Sequence, residues 1–261
     1  MTTHAIDGLL LDIDGVLSIS WEPVPGSIQA MDAFRRAEVP VCLITNTTTH
    51  TRTALAETLR SVGFDVEPDR VVTAVTATAD HLRHANPRSP VFVVSDGDAR
   101  RDMDGVTLVD APEEADVIVL GGASRDFTYD LVNRCFRRLM DGAALVAMHR
   151  NMYWKTADGF ELDAGAYVAG LEAATGTHAV ICGKPAAAFF QAALHVLGID
   201  AGRAAMVGDD IVNDVEGARA AGLTGILVRT GKFRDDDLER GTPDAVVDSL
   251  ADVPGWLGIA R

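Results

Sequence analysis

Short apolar runs alternate along this chain with longer stretches whose apolar residues recur at helical spacing. In the stretch 50–62, for example, Leu55, Leu59 and Val62 fall on one helix face. Such alternation is typical of an α/β protein with a mostly parallel sheet. The predicted strands are 8–13, 39–45, 91–95, 117–121, 144–148, 180–182, 204–208 and 225–229. The predicted helices are 27–37, 50–62, 129–140, 166–175, 186–197 and 212–221.

A middle block of the chain differs from the segments on either side of it. It carries its own strand and helix patterns but lacks the aspartate-ended strands found outside it. We therefore predict an inserted α/β domain at 76–179, with 1–75 and 180–261 forming one discontinuous core. A chain of 261 residues is long enough for two such cores. We expect neither a signal peptide nor a membrane span, because no apolar run is long enough.

The charge and the cysteines limit the classes of partner. A formal net charge of −15 repels nucleic-acid phosphates and anionic lipid, so we expect neither nucleic acid nor membrane as a partner. An anionic small substrate is compatible with this charge if a divalent cation reverses the field locally. Cys42, Cys135 and Cys182 lie far apart in sequence, which predicts buried reduced thiols and a cytoplasmic protein.

The most informative strand end is the first. An apolar run ends in Asp12 and Asp14, and Gly15 follows, where we expect the chain to turn. Two close carboxylates repel each other unless a cation or a shared proton offsets the repulsion. The pair therefore predicts a metal site at this strand end.

Three further strand ends carry groups suited to phosphate chemistry. Thr45 and Asn46 offer a hydroxyl and an amide, and Lys184, before Pro185, offers a positive charge. Taken singly, each has a simpler explanation, such as a helix cap or a surface lysine. In open α/β sheets, however, ligands gather at the carboxyl ends of strands, so the set favours one shared site. The last of these strand ends carries Asp209, Asp210 and, slightly further on, Asp214.

With these motifs the chain resembles the haloacid dehalogenase superfamily. The matching segments are Asp12-Ile13-Asp14-Gly15, Thr45-Asn46, Lys184-Pro185, and Gly208-Asp209-Asp210 with Asp214. The resemblance covers essentially the whole chain and implies a Rossmann-like parallel-sheet core with an inserted α/β cap of the C2 type. The segments 44–48, 163–167 and 228–232 are similar to the N-acetylglucosamine-phosphatase-like, pyridoxal-phosphatase-like and phospholysine phosphohistidine pyrophosphate phosphatase branch.

The resemblance implies a Mg²⁺-dependent phosphohydrolase that acts on a small phosphorylated metabolite through an aspartyl-phosphate. Asp12 is the expected nucleophile, and Asp14 the acid and base that serves the leaving group and then water. The expected Mg²⁺ ligands are the Asp12 carboxylate, the Asp14 backbone carbonyl and Asp209. Thr45, Asn46 and Lys184 are expected to bind the phosphate oxygens. Asp210 and Asp214 are expected to orient water molecules or Lys184.

Substrate specificity is expected in the insertion, because the core motifs serve the transferred phosphoryl group. The segment 148–155 mixes cationic, amide and aromatic residues, which predicts substrate contacts for His149 and Asn151. An ordinary exposed loop is the alternative for this segment, and a structural hydrogen-bonding role is the alternative for His149. Asp163 suits a substrate contact or a helix cap equally. A homodimer through the cap also fits the resemblance.

Two other functions use a phosphorylated aspartate. A phosphomutase shares the intermediate, and only phosphate release without a bisphosphate activator separates it from a phosphatase. A receiver-type phosphoacceptor module is much shorter and lacks an acid two residues after its phosphorylated aspartate, the place of Asp14 here. Dehalogenase chemistry has no need of Asp14 or of a carboxylate-rich metal site. Esters, pyrophosphate and phosphoamidates all fit as substrates of the favoured phosphatase.

Overall fold

The chain divides into two compact units, of which the computed structural model describes residues 6–156 and 159–259. The first unit comprises Met1–Thr45, Arg52–Val72 and Lys184–Arg261, and the second comprises Asn46–Thr51 and Thr73–Gly183. These limits lie a few residues from those of the predicted insertion, and the short segment Asn46–Thr51 belongs with the second unit. The interpretation of the second unit as a cap stays a prediction.

Two sheets are built from parallel strands. The strands in chain order are β1 (Gly8–Asp12), β2 (Ser18–Ile19), β3 (Glu22–Pro23), β4 (Val41–Thr45), β5 (Val71–Thr73), β6 (Val91–Val94), β7 (Val117–Leu120), β8 (Ala144–Ala147), β9 (Tyr153–Thr156), β10 (Gly159–Leu162), β11 (Val180–Ile181), β12 (Ala204–Gly208), β13 (Thr224–Val228) and β14 (Ala245–Val247). The first unit carries a sheet of order β14-β13-β12-β1-β4-β5, and the second a sheet of order β11-β8-β7-β6. Two antiparallel hairpins, β2-β3 and β9-β10, complete the described strands.

Helices cover the connections between the parallel strands, as crossover geometry requires. They are α1 (Ser27–Arg36), α2 (Arg52–Ser61), α3 (Ala74–Ala85), α4 (Tyr129–Met140), α5 (Ala164–Thr175), α6 (Ala187–Leu197), α7 (Gly217–Ala220), α8 (Asp237–Arg240) and α9 (Val253–Trp256). Where the sequence predicts one helix at 212–221, the chain forms a π-helical segment, Ile211–Glu216, and then α7.

Helix α3 was not predicted, because its sequence gives a weak signal. Its apolar positions are mostly alanine, valine and threonine, and it begins where the predicted core was expected to end. The structure shows a capping box at its start, in which Thr73 and Thr76 exchange hydrogen bonds between side chain and backbone. Val75 and Leu82 are buried in the second unit. This burial stabilises the helix although its apolar residues show only a weak helical pattern.

The central strands of the first unit are buried on both faces, as in other parallel sheets. Leu9 and Leu11 of β1 pack in one cluster with Phe34 of α1 and Leu55 of α2. In the register of the sheet, Leu11 lies opposite Val207 of β12 and opposite Leu43 of β4. The carboxyl ends of β1, β4 and β12 therefore meet at one edge, which positions the site described below.

The second unit has a core on each face of its four-stranded sheet. Phe92 and Val94 of β6 pack in the cluster that includes α4 and α5, whereas Val91 and Val93 pack with α3. The segment Asn46–Thr51 is tied to this unit by hydrogen bonds, such as the one from the Gly122 N–H to Thr48 Oγ1 at 3.1 Å.

The three cysteines are free and buried, as predicted. Burial raises the pKa of Cys42 to about 12 and the pKa values of Cys135 and Cys182 to about 11, so these thiols stay protonated at neutral pH. Among the described residues, no helix combines the length and the apolar character that crossing a membrane requires.

Candidate active site

Three buried carboxylates meet at the carboxyl edge of the first unit's sheet. Asp12 is the last residue of β1, Asp209 directly follows β12, and Asp214 lies in the π-helical segment. One carboxylate oxygen from each lies within 4.8 Å of the other two. Asp209 and Asp214 are almost completely buried, and Asp12 is 4% exposed. Such a group needs positive charge nearby to remain ionised.

Lys184 supplies one positive charge to this group. Its Nζ lies 2.7 Å from Asp12 Oδ1 and 2.7 Å from Asp214 Oδ1, and the lysine itself is 4% exposed. Burial alone lowers the pKa of Lys184, but the charges of Asp12 and Asp214 outweigh burial and raise it. The lysine is therefore a permanent cation that joins two of the three carboxylates. Sequence analysis places Lys184 at the phosphate oxygens, and the structure adds this contact with the expected nucleophile.

Asp209, the third carboxylate, does not form an ion pair with Lys184. Burial, together with the charge of Asp12, raises the pKa of Asp209 to about 7. Its Oδ2 accepts a hydrogen bond from the Lys232 backbone N–H at 2.8 Å. Its Oδ1 is buried and has no hydrogen-bond partner among the described residues. A buried orphan oxygen beside a second carboxylate fits a divalent cation with oxygen ligands, such as Mg²⁺.

Two glycines hold the Asp209 carboxylate in place. Gly15 (φ +86°) and Gly231 (φ +66°) adopt left-handed backbone conformations and lie next to each other beside its Oδ2. A Cβ on either glycine would lie 2.1 Å or 2.0 Å, respectively, from Asp209 Oδ2. The Thr230 hydroxyl donates a hydrogen bond to the Gly15 carbonyl, which ties the two loops together. Only glycine provides both this backbone conformation and this close approach.

The loop after β13 was missed as part of the site. The segment 228–232 contributes to the family resemblance, but the sequence alone predicts no role for it. Its visible signal was a glycine between Thr230 and Lys232 directly after an apolar strand. Burial alone lowers the pKa of Lys232, but the charges of Asp209 and Asp12 outweigh burial and raise it. Its ammonium group therefore lies in the field of the carboxylates.

Asp14 differs from Asp12 in exposure. Its side chain is exposed, and its carboxylate is not a member of the three-carboxylate group found among the described residues. The chain turns here, as predicted, because Asp14 forms a β-bridge with Ser18 and the Gly15 N–H donates to the Ser18 carbonyl. The turn separates the two carboxylates, so one is buried at the sheet edge while the other faces solvent.

Asp210 and Asp214 hold the π-helical segment and Lys184. Asp210 Oδ1 accepts hydrogen bonds from the Val212 and Asn213 N–H groups at 3.0 and 2.9 Å, which makes it the cap of this segment. The Asp210 N–H in turn donates to Asp214 Oδ2 at 3.2 Å. Burial, with the charge of Asp12, raises the pKa of Asp214 to about 6, although Lys184 opposes this shift. Both residues are thus placed to support the site, and their expected supporting roles stay predictions.

Thr45 lies in the first unit with Asp12. It is buried at the end of β4, one residue beyond Ile44, the register partner of Asp12. Asn46 belongs to the second unit, where its Oδ1 would lie 2.6 Å from a Cβ on Gly183. Gly183 therefore leaves room for the Asn46 side chain.

The remaining predicted residues lie in the second unit. His149 is buried, its Nδ1 accepts from the Asn151 N–H at 3.3 Å, and its Nε2 lies 3.9 Å from Asp163 Oδ2. Burial lowers the pKa of His149 despite the Asp163 charge, so it is neutral at physiological pH. Asp163 caps α5 through the Ala164 N–H at 2.7 Å. The Asn151 side chain is exposed, and the side chains of 154–159 lie outside the described residues. Substrate contacts of His149 and Asn151 stay predictions.

Comparison with known proteins identifies the family. Residues 9–108 match the model of haloacid dehalogenase-like hydrolases, and residues 181–253 match a second, HAD-hydrolase-like model. The chain is 39% identical over 240 residues to the human haloacid dehalogenase-like hydrolase domain-containing protein 2, covering 92% of this chain and 90% of that protein. The chain belongs to the haloacid dehalogenase-like hydrolase family.

Further relatives identify the branch of the family to which the chain belongs and confirm the predicted α/β fold class. The chain is 34% identical over 260 residues to human phospholysine phosphohistidine inorganic pyrophosphate phosphatase, covering 97% and 94% of the two chains. The p-nitrophenyl phosphatase from Archaeoglobus fulgidus matches with a TM-score of 0.89 and 28% identity, covering 96% and 99%. NagD from E. coli K-12 matches with a TM-score of 0.87 and 27% identity, covering 95% of this chain and 98% of NagD. The chain is therefore an α/β phosphatase of the NagD-like branch.

The contact of Gly231 with Asp209 yields a first prediction. Gly231→Ala forces a Cβ onto Asp209 Oδ2, so we expect turnover to fall by about 100-fold because the carboxylate is displaced. Gly258→Ala is the matched control, since Gly258 (φ +74°) is also left-handed but has no atom within 4 Å of an added Cβ. Both variants should lose about 1 kcal/mol of unfolding free energy from backbone strain. Gly231→Ala should lose more, because its Cβ would also lie 2.7 Å from Gly15 Cα. Equal turnover in the two variants, measured with p-nitrophenyl phosphate, would contradict the role of Gly231.

Proposed function

We propose that this phosphatase is a Mg²⁺-dependent enzyme that hydrolyses a small phosphorylated metabolite through an aspartyl-phosphate on Asp12. One observation carries the proposal. Asp12 is a buried carboxylate at the sheet edge, next to Asp209 and Asp214, with the Lys184 ammonium at 2.7 Å. Lys184 and the more exposed Lys232, whose ammonium lies in the field of the group, carry two positive charges against three carboxylates. The arrangement therefore favours a further cation and an anionic substrate bound beside it.

The proposed holders of Mg²⁺ are the carboxylates of Asp12 and Asp209 together with the Asp14 backbone carbonyl. The orphan oxygen of Asp209 supports this choice, because a buried carboxylate oxygen without a donor has an unmet need for positive charge. When bound, Mg²⁺ neutralises charge on the phosphoryl oxygens and lets an anionic nucleophile approach an anionic substrate. The donor set contains only oxygens, which is what Mg²⁺ prefers.

In the first step, a carboxylate oxygen of Asp12 forms a bond to phosphorus while the bond from phosphorus to the leaving oxygen breaks. Lys184 holds the Asp12 carboxylate through its contact with Oδ1 and is itself fixed by Asp214. The Lys184 ammonium, the Thr45 hydroxyl and the Asn46 N–H are the proposed partners of the phosphoryl oxygens, on which charge must be stabilised.

Asp14 is the proposed proton carrier. It gives a proton to the leaving oxygen in the first step and takes a proton from the water that attacks the aspartyl-phosphate in the second. Its exposed carboxylate suits both tasks, since leaving group and water arrive from solvent. After the second step, phosphate is released and both aspartates return to their starting states.

The substrate class is supported by the relatives. One human relative is named for phospholysine, phosphohistidine and inorganic pyrophosphate, and several structural neighbours are named for p-nitrophenyl phosphate. Each of these compounds is a small molecule or side chain with a terminal phosphoryl group. We propose the same class here, with His149 and Asn151 of the second unit near the leaving group.

The nucleophile and the cation are tested together by phosphate release from p-nitrophenyl phosphate and a metabolite panel, with Mg²⁺ or with EDTA. Turnover should require Mg²⁺, need no bisphosphate activator, and fall by about 10⁴-fold or more in Asp12→Asn, whose fold is unchanged by circular dichroism. Asp200→Asn is the control, because Asp200 is exposed and precedes the opposite end of β12. Activity in EDTA, or in folded Asp12→Asn protein, would contradict the proposal.

The role of Asp14 is tested by pre-steady-state kinetics of Asp14→Asn. The p-nitrophenolate leaving group needs little protonation, so the first step should proceed, whereas hydrolysis of the aspartyl-phosphate lacks its base. We expect a burst of one p-nitrophenolate per chain and then slow turnover. A variant that turns over steadily at the wild-type rate would show that Asp14 carries no proton.

A further inference from the structure

A polar pocket of about 390 Å³ lies in the first unit and has Asp209 in its wall. The other charged side chains that line it come from the loops after β12 and β13 and from α8. They are Asp210, Lys232, Arg234, Asp237 and Arg240. Because Asp209 belongs both to this wall and to the three-carboxylate group, the pocket adjoins the place where the phosphoryl group is proposed to react.

The acidic groups of the wall other than Asp209 are already satisfied. Asp237 is buried, its Oδ1 accepts from Arg240 Nη1 at 2.9 Å, and its Oδ2 accepts from the Arg234 N–H at 2.8 Å. Asp210 accepts from two backbone N–H groups, and its Oδ2 also accepts from Asn213 Nδ2 at 2.8 Å. These carboxylates therefore have hydrogen-bond partners other than the Lys232 ammonium and the Arg234 guanidinium.

Two cations of the wall make no ion pair at contact distance. Among the described residues, neither the Lys232 ammonium nor the Arg234 guanidinium lies within ion-pair distance of a carboxylate, although the charges of Asp209 and Asp12 act on Lys232. Some other exposed arginines of this acidic chain, such as Arg35 and Arg134, do pair with carboxylates. Asp235 and Asp236 are adjacent in sequence to Arg234, so the absence of pairing is not for lack of acidic neighbours.

We propose that this pocket binds a second anionic group of the substrate, a carboxylate or a further phosphate on the leaving group, through Lys232 and Arg234. The inference rests on the proposed function, since it places the leaving group of the same reaction. An ammonium and a guanidinium make strong charge-assisted hydrogen bonds to such anions, and the guanidinium can bind two oxygens at once. The preferred substrates are then phosphates whose leaving group carries its own negative charge.

The test compares two substrates that differ by one charge. These are 4-carboxyphenyl phosphate and its methyl ester, and the change of their kcat/KM ratio between variants cancels the difference between the two leaving groups. The wild type should favour the carboxylate in kcat/KM, and Arg234→Met or Lys232→Met should each reduce that preference by about tenfold. Arg234→Lys, which keeps the charge, should retain most of the preference. Arg36→Met is the control, because Arg36 is exposed at the end of α1. The chain leads from there to the start of β4, which is the opposite end of that strand from the site.

An unchanged preference in Arg234→Met and Lys232→Met, or an equal loss in Arg36→Met, would overturn the inference. A free anion site is distinguished by adding benzoate to reactions with the methyl ester. If benzoate raises the rate in the wild type but not in Arg234→Met, the pocket binds a separate effector, and the inference is wrong. Competitive inhibition that is lost in Arg234→Met supports the inference.

Failure of the proposed function is recognised separately. If neither 4-carboxyphenyl phosphate nor its methyl ester releases phosphate in the presence of Mg²⁺, the proposed reaction is wrong. Calorimetric titration of Asp12→Asn protein with the two esters then tests the pocket without turnover. Tighter binding of the carboxylate that is lost on adding Arg234→Met supports the pocket, and equal binding of both esters overturns it.

Discussion

The structure of the site depends on one electrostatic imbalance: three carboxylates are buried together against a single buried lysine. Lys184 contacts Asp12 and Asp214, whereas Asp209 has no ion pair with it and keeps one buried oxygen without a hydrogen-bond partner among the described residues. Burying charge is costly unless partners compensate for the lost hydration. Burial, together with the charge of Asp12, raises the pKa values of Asp209 and Asp214. The divalent cation that we propose would offset this excess of buried negative charge.

The fold creates this imbalance through backbone features that precede any chemistry. Parallel strands β1 and β12 are neighbours in register, so the residues at their carboxyl ends are brought together whatever their side chains are. Gly15 and Gly231 then allow two loops to close on the Asp209 carboxylate. The Asp210 cap fixes the π-helical segment that returns Asp214 to Lys184. Each of these charged groups is therefore positioned by a neighbouring element of the backbone.

Much of this arrangement could be predicted from the sequence, because the signals were local. An apolar run ending in Asp12, and another ending in Asp209, mark strand ends whatever surrounds them. The missed features depend on three-dimensional packing. Helix α3 is stabilised by the burial of Val75 and Leu82 rather than by a strong periodic pattern, and Gly231 acts through a contact with a residue 22 positions earlier in the chain. The burial of His149 against Asp163 is likewise invisible in sequence.

The family relationship and the geometry answer different questions. Similarity over nearly the whole chain identifies a phosphatase of the NagD-like branch. The geometry shows which carboxylate is paired, which is orphaned and which is exposed. Those differences among Asp12, Asp209 and Asp14 support the distinct roles proposed for chemically identical side chains.

The most direct measurement of the central claim is the unfolding free energy of the wild type and of Asp209→Asn as Mg²⁺ is added. If the buried carboxylates lack a cation, Mg²⁺ should stabilise the wild type by about 2.7 kcal/mol at a concentration 100 times its dissociation constant. The gain should shrink as the pH falls below about 7, where a proton on Asp209 competes with the cation, and it should be largely absent in Asp209→Asn. Equal stability of the wild type with and without Mg²⁺ at pH 8 would contradict the account.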